Sequence, residues 1–115
     1  MGNFTLWGKT DMASGSLGEA SPAANTNTTI YTVPAGKVAS WNISVFNRGS
    51  ASVSVRISKG LATPGNAQFL EFDTVIPPKG VLERTALAAS AGDQIVFRGT
   101  TGDCSVLVYG YEDNA

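Results

Sequence analysis

The sequence contains no histidine and only one cysteine. Histidine is the most common general base and metal ligand, and the usual zinc sites need several histidine or cysteine ligands. The chain therefore cannot assemble a Ser-His-Asp triad or a conventional zinc site, and we expect no metal and no cofactor. Because Cys104 is alone, no intrachain disulfide can form, and we expect a buried core thiol.

Charge is also scarce. Charged residues make up 15% of the chain, against about 25% in a usual globular protein. The eight basic residues are spread singly and the net charge is −1, which argues against nucleic-acid binding and against an anionic membrane surface. We find no membrane-spanning stretch and no signal peptide, so folding in a cytoplasm is expected. Low charge favours a protein that packs against protein partners.

Catalysis would have to depend on carboxylates, since a glycosidase needs only two of them. The candidates are Glu71, Asp73, Glu83 and Asp93. Glu71 and Asp73 are two positions apart in a predicted strand and are therefore expected on one face. We interpret that face as solvated or as the rim of an interface, and we predict that the chain is not an enzyme.

The chain does contain a repeated pattern of β-branched strands separated by short turns of Gly, Pro, Ser and Asn. Seven strands are predicted, over residues 29–33, 38–47, 52–58, 69–76, 81–87, 94–98 and 104–111. Turns at this spacing are typical of a sandwich or barrel. We predict an all-β fold, an antiparallel β-sandwich of jelly-roll or immunoglobulin-like topology with seven to eight strands.

Alternation along the longest predicted strand separates its two faces. Ala39, Trp41, Ile43 and Val45 are expected on one side, and Ser40, Asn42, Ser44 and Phe46 on the other. The aromatic residues predicted to lie in the core are Trp41, Phe69, Phe72 and Phe97.

The first 28 residues differ in composition from the rest. Residues 11–27 are rich in Ser, Gly, Ala, Asn and Thr, which predicts an extended arm or a long loop. We therefore divide the chain into an N-terminal arm, 1–28, and a β-sandwich domain, 29–115. Phe4, Leu6 and Trp7 lie in the arm, outside the core pattern, and are candidate partner-binding residues.

Near the C-terminus, Tyr109 and Tyr111 are predicted to share one strand face. They complete the set of candidate partner-binding residues. Aromatic side chains arranged in this way also serve as carbohydrate platforms, so a carbohydrate-binding module stays an alternative.

Four segments resemble a recurrent module of virion proteins from tailed bacteriophages. They are residues 31–49, which begin YTVPAG, then 69–84, 91–98 and 106–112, which ends GYE. The resemblance covers about residues 29–112 and its motifs are turn and strand motifs. It implies a small antiparallel β-sandwich that acts in the virion and has no catalytic residues.

The resemblance leaves more than one place in the virion open. We expect a capsid decoration, or cement, protein that binds and stabilises the lattice of the major capsid protein, in the virion and assembled in the host cytoplasm. A tail, collar, baseplate or fibre component is the alternative. A homo-oligomer, with a trimer preferred, fits the symmetry of a capsid.

Overall fold

The computed structural model describes residues 13–115, which form eight β-strands and one short 3-10 turn, Asn66–Gln68. The strands are β1 Ser14–Ala20, β2 Thr28–Thr32, β3 Lys37–Asn47, β4 Val53–Gly60, β5 Phe69–Ile76, β6 Val81–Ser90, β7 Gln94–Gly99 and β8 Cys104–Asn114. Within this part of the chain, no helix is long and apolar enough to cross a bilayer.

The strands form two antiparallel sheets that pack face to face. Sheet I has the order β1-β8-β3-β6 and sheet II the order β2-β7-β4-β5. The hydrogen-bonded pairs β1·β8, β2·β7, β3·β6 and β4·β5 are nested along the chain, which is the arrangement of an eight-stranded jelly roll. The predicted antiparallel β-sandwich is confirmed, and its topology is jelly-roll rather than immunoglobulin-like.

All seven strands predicted from the sequence are present, and their ends differ from the predicted ones by at most three residues. Within the segment predicted as an extended arm or a long loop, 11–27, the residues Ser14–Ala20 form β1 at the edge of sheet I, a strand that the sequence does not predict. Small residues without apolar alternation give no strand pattern, and here the strand arises from backbone pairing with β8. The part of the predicted arm before residue 13 lies outside the described residues.

The core lies between the sheets and is formed by alternate strand residues. Trp41, Ile43 and Val45 of β3 are buried, on the face that the sequence predicts, and Phe97 of β7 is buried opposite them in sheet II. Burying a side chain of this kind contributes roughly 1.5–3 kcal/mol. Cys104 is also fully buried, as predicted, and burial raises the pKa of its thiol.

The core prediction is wrong for Phe72, whose side chain is 55% exposed. Phe69 is half-buried, and its ring meets that of Phe72 edge to face with centroids 4.9 Å apart. The reason lies in β5, which has two register shifts against β4, and the one between Glu71 and Thr74 interrupts the alternation at Phe72.

That irregularity is a β-bulge opposite Arg56. Thr74 and Glu71 are three positions apart, yet both pair with buried residues of β4 and so face the interior. The two residues between them, Phe72 and Asp73, lie against Arg56 on the outer surface of sheet II. Asp73 takes a positive φ of 55°, which Asp tolerates better than most residues.

A second bulge lies on β6, the edge strand of sheet I on the same side of the sandwich. Leu87 and Arg84 both pair with buried residues of β3, which leaves Thr85 and Ala86 between them. Ala86 has φ +60°, and its backbone N–H donates to Asn42 Oδ1 at 3.1 Å. Arg84 faces the interior, as Leu82 does two positions earlier, and the extra residue changes the alternation only between Arg84 and Leu87.

All four edge strands of the described sandwich are bulged, whereas the central pairs β3·β8 and β4·β7 keep one register throughout. The shifts on the other two edges fall between Ser16 and Gly18 of β1 and between Thr29 and Tyr31 of β2. These two edges meet closely, because a Cβ on Gly18 would lie 2.1 Å from the carbonyl oxygen of Ile30.

Polar contacts link the two sheets on both sides of the core. Arg84 Nη1 lies 2.6 Å from Glu71 Oε2, so the two bulges bring a cation and a carboxylate together. On the other side, the Tyr31 hydroxyl donates to Glu112 Oε2 at 2.6 Å. Glu112 is only 8% exposed and also accepts from the backbone N–H of Ala13.

One buried amide fixes two turns at the same end of the molecule. Asn47 is fully buried, and its Nδ2 donates to the carbonyl oxygens of Ala51, Ile76 and Pro77. Its Oδ1 accepts from the N–H of Gly49 at 2.9 Å. The sequence places Asn47 at the end of a predicted strand, and the structure adds that its amide joins the β3–β4 and β5–β6 connections.

Candidate functional site

The candidate site is the outer surface of sheet I, here named face I. The register of β1, β8, β3 and β6 determines which side chains point outward. They are Ser14, Ser16 and Glu19 on β1, Ser105, Leu107, Tyr109, Tyr111 and Asp113 on β8, Val38, Ser40, Asn42, Ser44 and Phe46 on β3, and Val81, Glu83, Ala88 and Ser90 on β6.

Face I presents large apolar side chains to solvent. Tyr111 and Val81 are each more than half exposed, and Val38, Phe46 and Leu107 are exposed to a lesser degree. Serine and asparagine hydroxyls and amides fill most of the remaining outward positions. Contiguous exposed apolar groups bordered by small polar ones are typical of protein-binding surfaces.

The charged side chains that point outward from the strands of face I are acidic. Glu19, Glu83 and Asp113 are exposed on its strands. The basic residues of the four strands are Lys37, whose Nζ donates to Asn114 Oδ1, and Arg84, which pairs with Glu71. Arg48, directly after β3, adds a positive charge at the border of the face, because its Nη1 donates to Ser105 Oγ at 2.8 Å. Face I therefore suits a partner whose surface combines apolar side chains with charges that complement the three carboxylates and Arg48.

A shallow groove of about 700 Å³ crosses face I at its β1 side. Its lining includes Ser16, Glu19, Ser44, Phe46 and Leu107. The groove is open to solvent and is lined by apolar and hydroxyl groups with one carboxylate. Such a surface can accept a protruding apolar side chain of a partner, but it holds no set of polar groups arranged for chemistry.

The predicted partner-binding residues fall into two groups. Phe4, Leu6 and Trp7 lie outside the described residues. Tyr109 and Tyr111 share the outer face of β8, as predicted, with Tyr109 half-buried and Tyr111 54% exposed.

Gly110, between the two tyrosines, allows β8 to lie close to β3. It has φ +150°, and a Cβ there would meet the carbonyl oxygen of Ser40 at 2.0 Å. A side chain at this position would push β8 away from β3 and displace both tyrosines from face I.

Sequence reasoning missed four apolar members of face I, namely Val38, Phe46, Val81 and Leu107. A signal for Phe46 was available, since alternation places it on the face opposite Trp41. The others become visible only when the strand order brings β6 and β8 to either side of β3.

The four carboxylates considered for catalysis do not form a shared site. The prediction that Glu71 and Asp73 share a face is wrong, because the β5 bulge directs Glu71 inward to Arg84 and Asp73 outward to Arg56. Asp93 lies 3.7 Å from Lys59 and accepts from the N–H of Ser90.

The charged form of two of these carboxylates is stabilised by its neighbours. A hydrogen bond from Thr74 Oγ1 at 2.7 Å, together with Arg84, lowers the pKa of Glu71. The Arg56 guanidinium, which donates to Asp73 Oδ1 at 2.7 Å, lowers the pKa of Asp73. A general acid needs a raised carboxyl pKa, so neither group is suited to that role.

Among residues 13–115, no group of three or more His, Cys, Asp and Glu side chains is placed to hold a metal ion. No known protein family matches the chain, and no curated protein is similar to it.

Proposed function

We propose that this chain is a capsid decoration protein of a tailed bacteriophage, which binds the major capsid protein through face I. The observation that carries the proposal is face I itself, an exposed apolar and hydroxyl-rich surface whose strands direct carboxylates outward and which Arg48 borders. The virion motifs in residues 31–49, 69–84, 91–98 and 106–112 support the same role.

The proposed mechanism is the burial of additional surface between capsid subunits. The described Cα trace extends 47 × 31 × 22 Å, so one broad side is large enough to supply the roughly 800 Å² that each partner contributes to a standard interface. A subunit that spans a junction opposes outward pressure, because separating the capsid proteins would expose this area again. Closed symmetry at the junctions favours a trimer, which light scattering of the assembled form tests.

Cryo-electron microscopy of capsids that lack the protein tests the proposal. Purified protein is added to these capsids and, separately, to isolated tails. We expect regular density on the capsids, with face I directed toward the shell. The variant Leu107→Asp places a charge within face I and should lower the affinity at least about tenfold.

Leu61→Asp is the matched control, since Leu61 is exposed in the loop after β4 and lies outside face I. A second variant lacks residues 1–12 and keeps β1, so it tests Phe4, Leu6 and Trp7 without removing an edge strand of the sandwich. Density only on tails would assign the protein to the tail, and binding to neither particle would overturn a virion role. An equal loss of capsid affinity in the Leu61 and Leu107 variants would show that face I is not the binding surface.

A further inference from the structure

Two arginines lie directly opposite each other on the outer surface of sheet II. Arg56 of β4 and Arg98 of β7 are register partners. Like charges in this position repel and destabilise a sheet unless an anion lies between them. Both side chains are half-buried, so neither is simply extended into solvent.

The nearby carboxylate, Asp73, forms an ion pair with only one of these arginines, although Arg98 also helps to lower the pKa of Asp73. Asp73 binds Arg56 through both carboxylate oxygens, with Nε–Oδ1 at 2.7 Å and Nη2–Oδ2 at 3.3 Å. The guanidinium of Arg56 also lies 4.1 Å from the centre of the Phe72 ring, which fixes its plane. The three ion pairs of residues 13–115 involve Arg56, Lys59 and Arg84, and Arg98 takes part in none of them.

Arg98 lines a small cavity together with hydrogen-bonding groups. The other lining residues include Asn25, Ser54, Arg56, Asp73 and Thr100, and the volume is about 110 Å³. Thr100 Oγ1 accepts from the backbone N–H of Ser54 at 3.1 Å, which leaves its hydroxyl hydrogen to donate to another group. A cavity of this volume holds about three or four waters, or one carboxylate group.

We propose that this cavity, the Arg98 pocket, binds a single carboxylate group. Two guanidinium groups and one carboxylate leave one positive charge, which a monoanion neutralises. A phosphate dianion would instead add excess negative charge beside Asp73. Arginine binds carboxylates through paired N–H donors, and Thr100 has a hydroxyl to add. The ligand is either a free carboxylate or the side chain of an Asp or Glu on another protein, and the proposal does not depend on the virion role.

Nuclear magnetic resonance titration of the full chain at pH 7 and constant ionic strength tests the pocket. The probes are acetate and Nα-acetylglutamic acid α-amide. Chloride is the control for a simple anion, and the corresponding glutamine amide is the control for an uncharged side chain. We expect the two carboxylates to shift the backbone amides of Asn25, Gly99 and Thr100, and the controls to leave them unchanged. Shifts with both carboxylates indicate a pocket that accepts a protein side chain, and shifts with acetate alone indicate a small free ligand.

Variants of the pocket provide the decisive comparison. Arg98→Gln should weaken carboxylate binding at least about fivefold, while Lys59→Gln, which removes a positive charge from β4 outside the pocket, should preserve it. Asp73→Asn keeps a residue that tolerates the positive φ and should strengthen acetate binding and admit phosphate. Equal shifts with chloride, tighter binding of phosphate than of acetate to the unaltered chain, or an unchanged affinity in Arg98→Gln would overturn the proposal.

Discussion

At the scale of single residues, the sandwich depends on polar side chains that are satisfied in its interior. Tyr31 and Glu112 join the two sheets through one hydrogen bond although they are 81 positions apart. The sequence places Tyr31 in a strand and Glu112 in the polar C-terminal tail. No local pattern predicts their contact, because it depends on how the two sheets stack.

The hydrogen bond between Tyr31 and Glu112 predicts that the unfolding free energy of the protein falls at alkaline pH. Burial, then the hydrogen bond to Glu112 and repulsion from its carboxylate, raises the pKa of Tyr31 far above the ordinary value of 10. A raised folded-state pKa stabilises the neutral phenol, so this contribution is complete below pH 10 and is lost as the pH rises above it. Above pH 10, the unfolding free energy should fall by about 1.4 kcal/mol per pH unit more steeply in the unaltered chain than in Tyr31→Phe.

Urea unfolding at pH 8 to 11 measures the slope of unfolding free energy against pH in the unaltered chain and in Tyr31→Phe. The control is Tyr111→Phe, which removes an exposed phenol and should keep the slope of the unaltered chain. The same slope in Tyr31→Phe and in the unaltered chain would contradict the prediction.

At the scale of elements, the strands could be predicted and their bulges could not. Alternation places Leu70, Phe72 and Thr74 on one face of β5, and the extra residue in that strand invalidates the assignment between Glu71 and Thr74. A single inserted residue reverses the direction of every side chain beyond it, so an error in one position changes a whole face. The exposed Phe72 and the inward Glu71 both follow from this one irregularity.

The bulge on β6 predicts that a glycine will stabilise the protein at one position and destabilise it two residues later. Ala86 has φ +60°, a conformation that glycine adopts without the penalty of a Cβ, so Ala86→Gly should raise the unfolding free energy by about 0.5–1 kcal/mol. Ala88 lies in the regular part of the strand, opposite Ser40, and Ala88→Gly should lower it by about the same amount. Thermal and urea unfolding of the two variants check the opposite signs, and destabilisation by both would show that Ala86 is not strained.

At the scale of the whole molecule, the sequence predicts the fold class and seven of the eight strands, together with the tyrosines of β8. It does not predict β1, whose Gly and Ser residues become a strand only by pairing with β8. It also leaves most of face I unrecognised, since that surface is assembled from strands that are distant in sequence. Local patterns thus identify the elements, and tertiary pairing creates the candidate site.

The close approach of β1 and β2 predicts a large effect of one methyl group. Gly18→Ala would place a Cβ 2.1 Å from the Ile30 carbonyl oxygen, a backbone atom that can move only with its strand. We expect a loss of about 2–3 kcal/mol in unfolding free energy. Gly65→Ala, where a Cβ meets no atom within 4 Å, should stay within about 0.5 kcal/mol of the unaltered chain. Equal stability of the two variants in urea would show that β1 is not held against β2.

The bulged edges have a consequence for crowding. A regular edge strand exposes a row of unpaired N–H and C=O groups that can join the edge of an identical molecule. The described sandwich has no such edge, because each of its four edge strands contains a register shift and only the interior pairs are regular. Many copies could therefore be displayed side by side at high local density without their sheets fusing into fibres. Neighbouring molecules then make contact through their broad faces and side chains, and each such contact can form and dissociate independently.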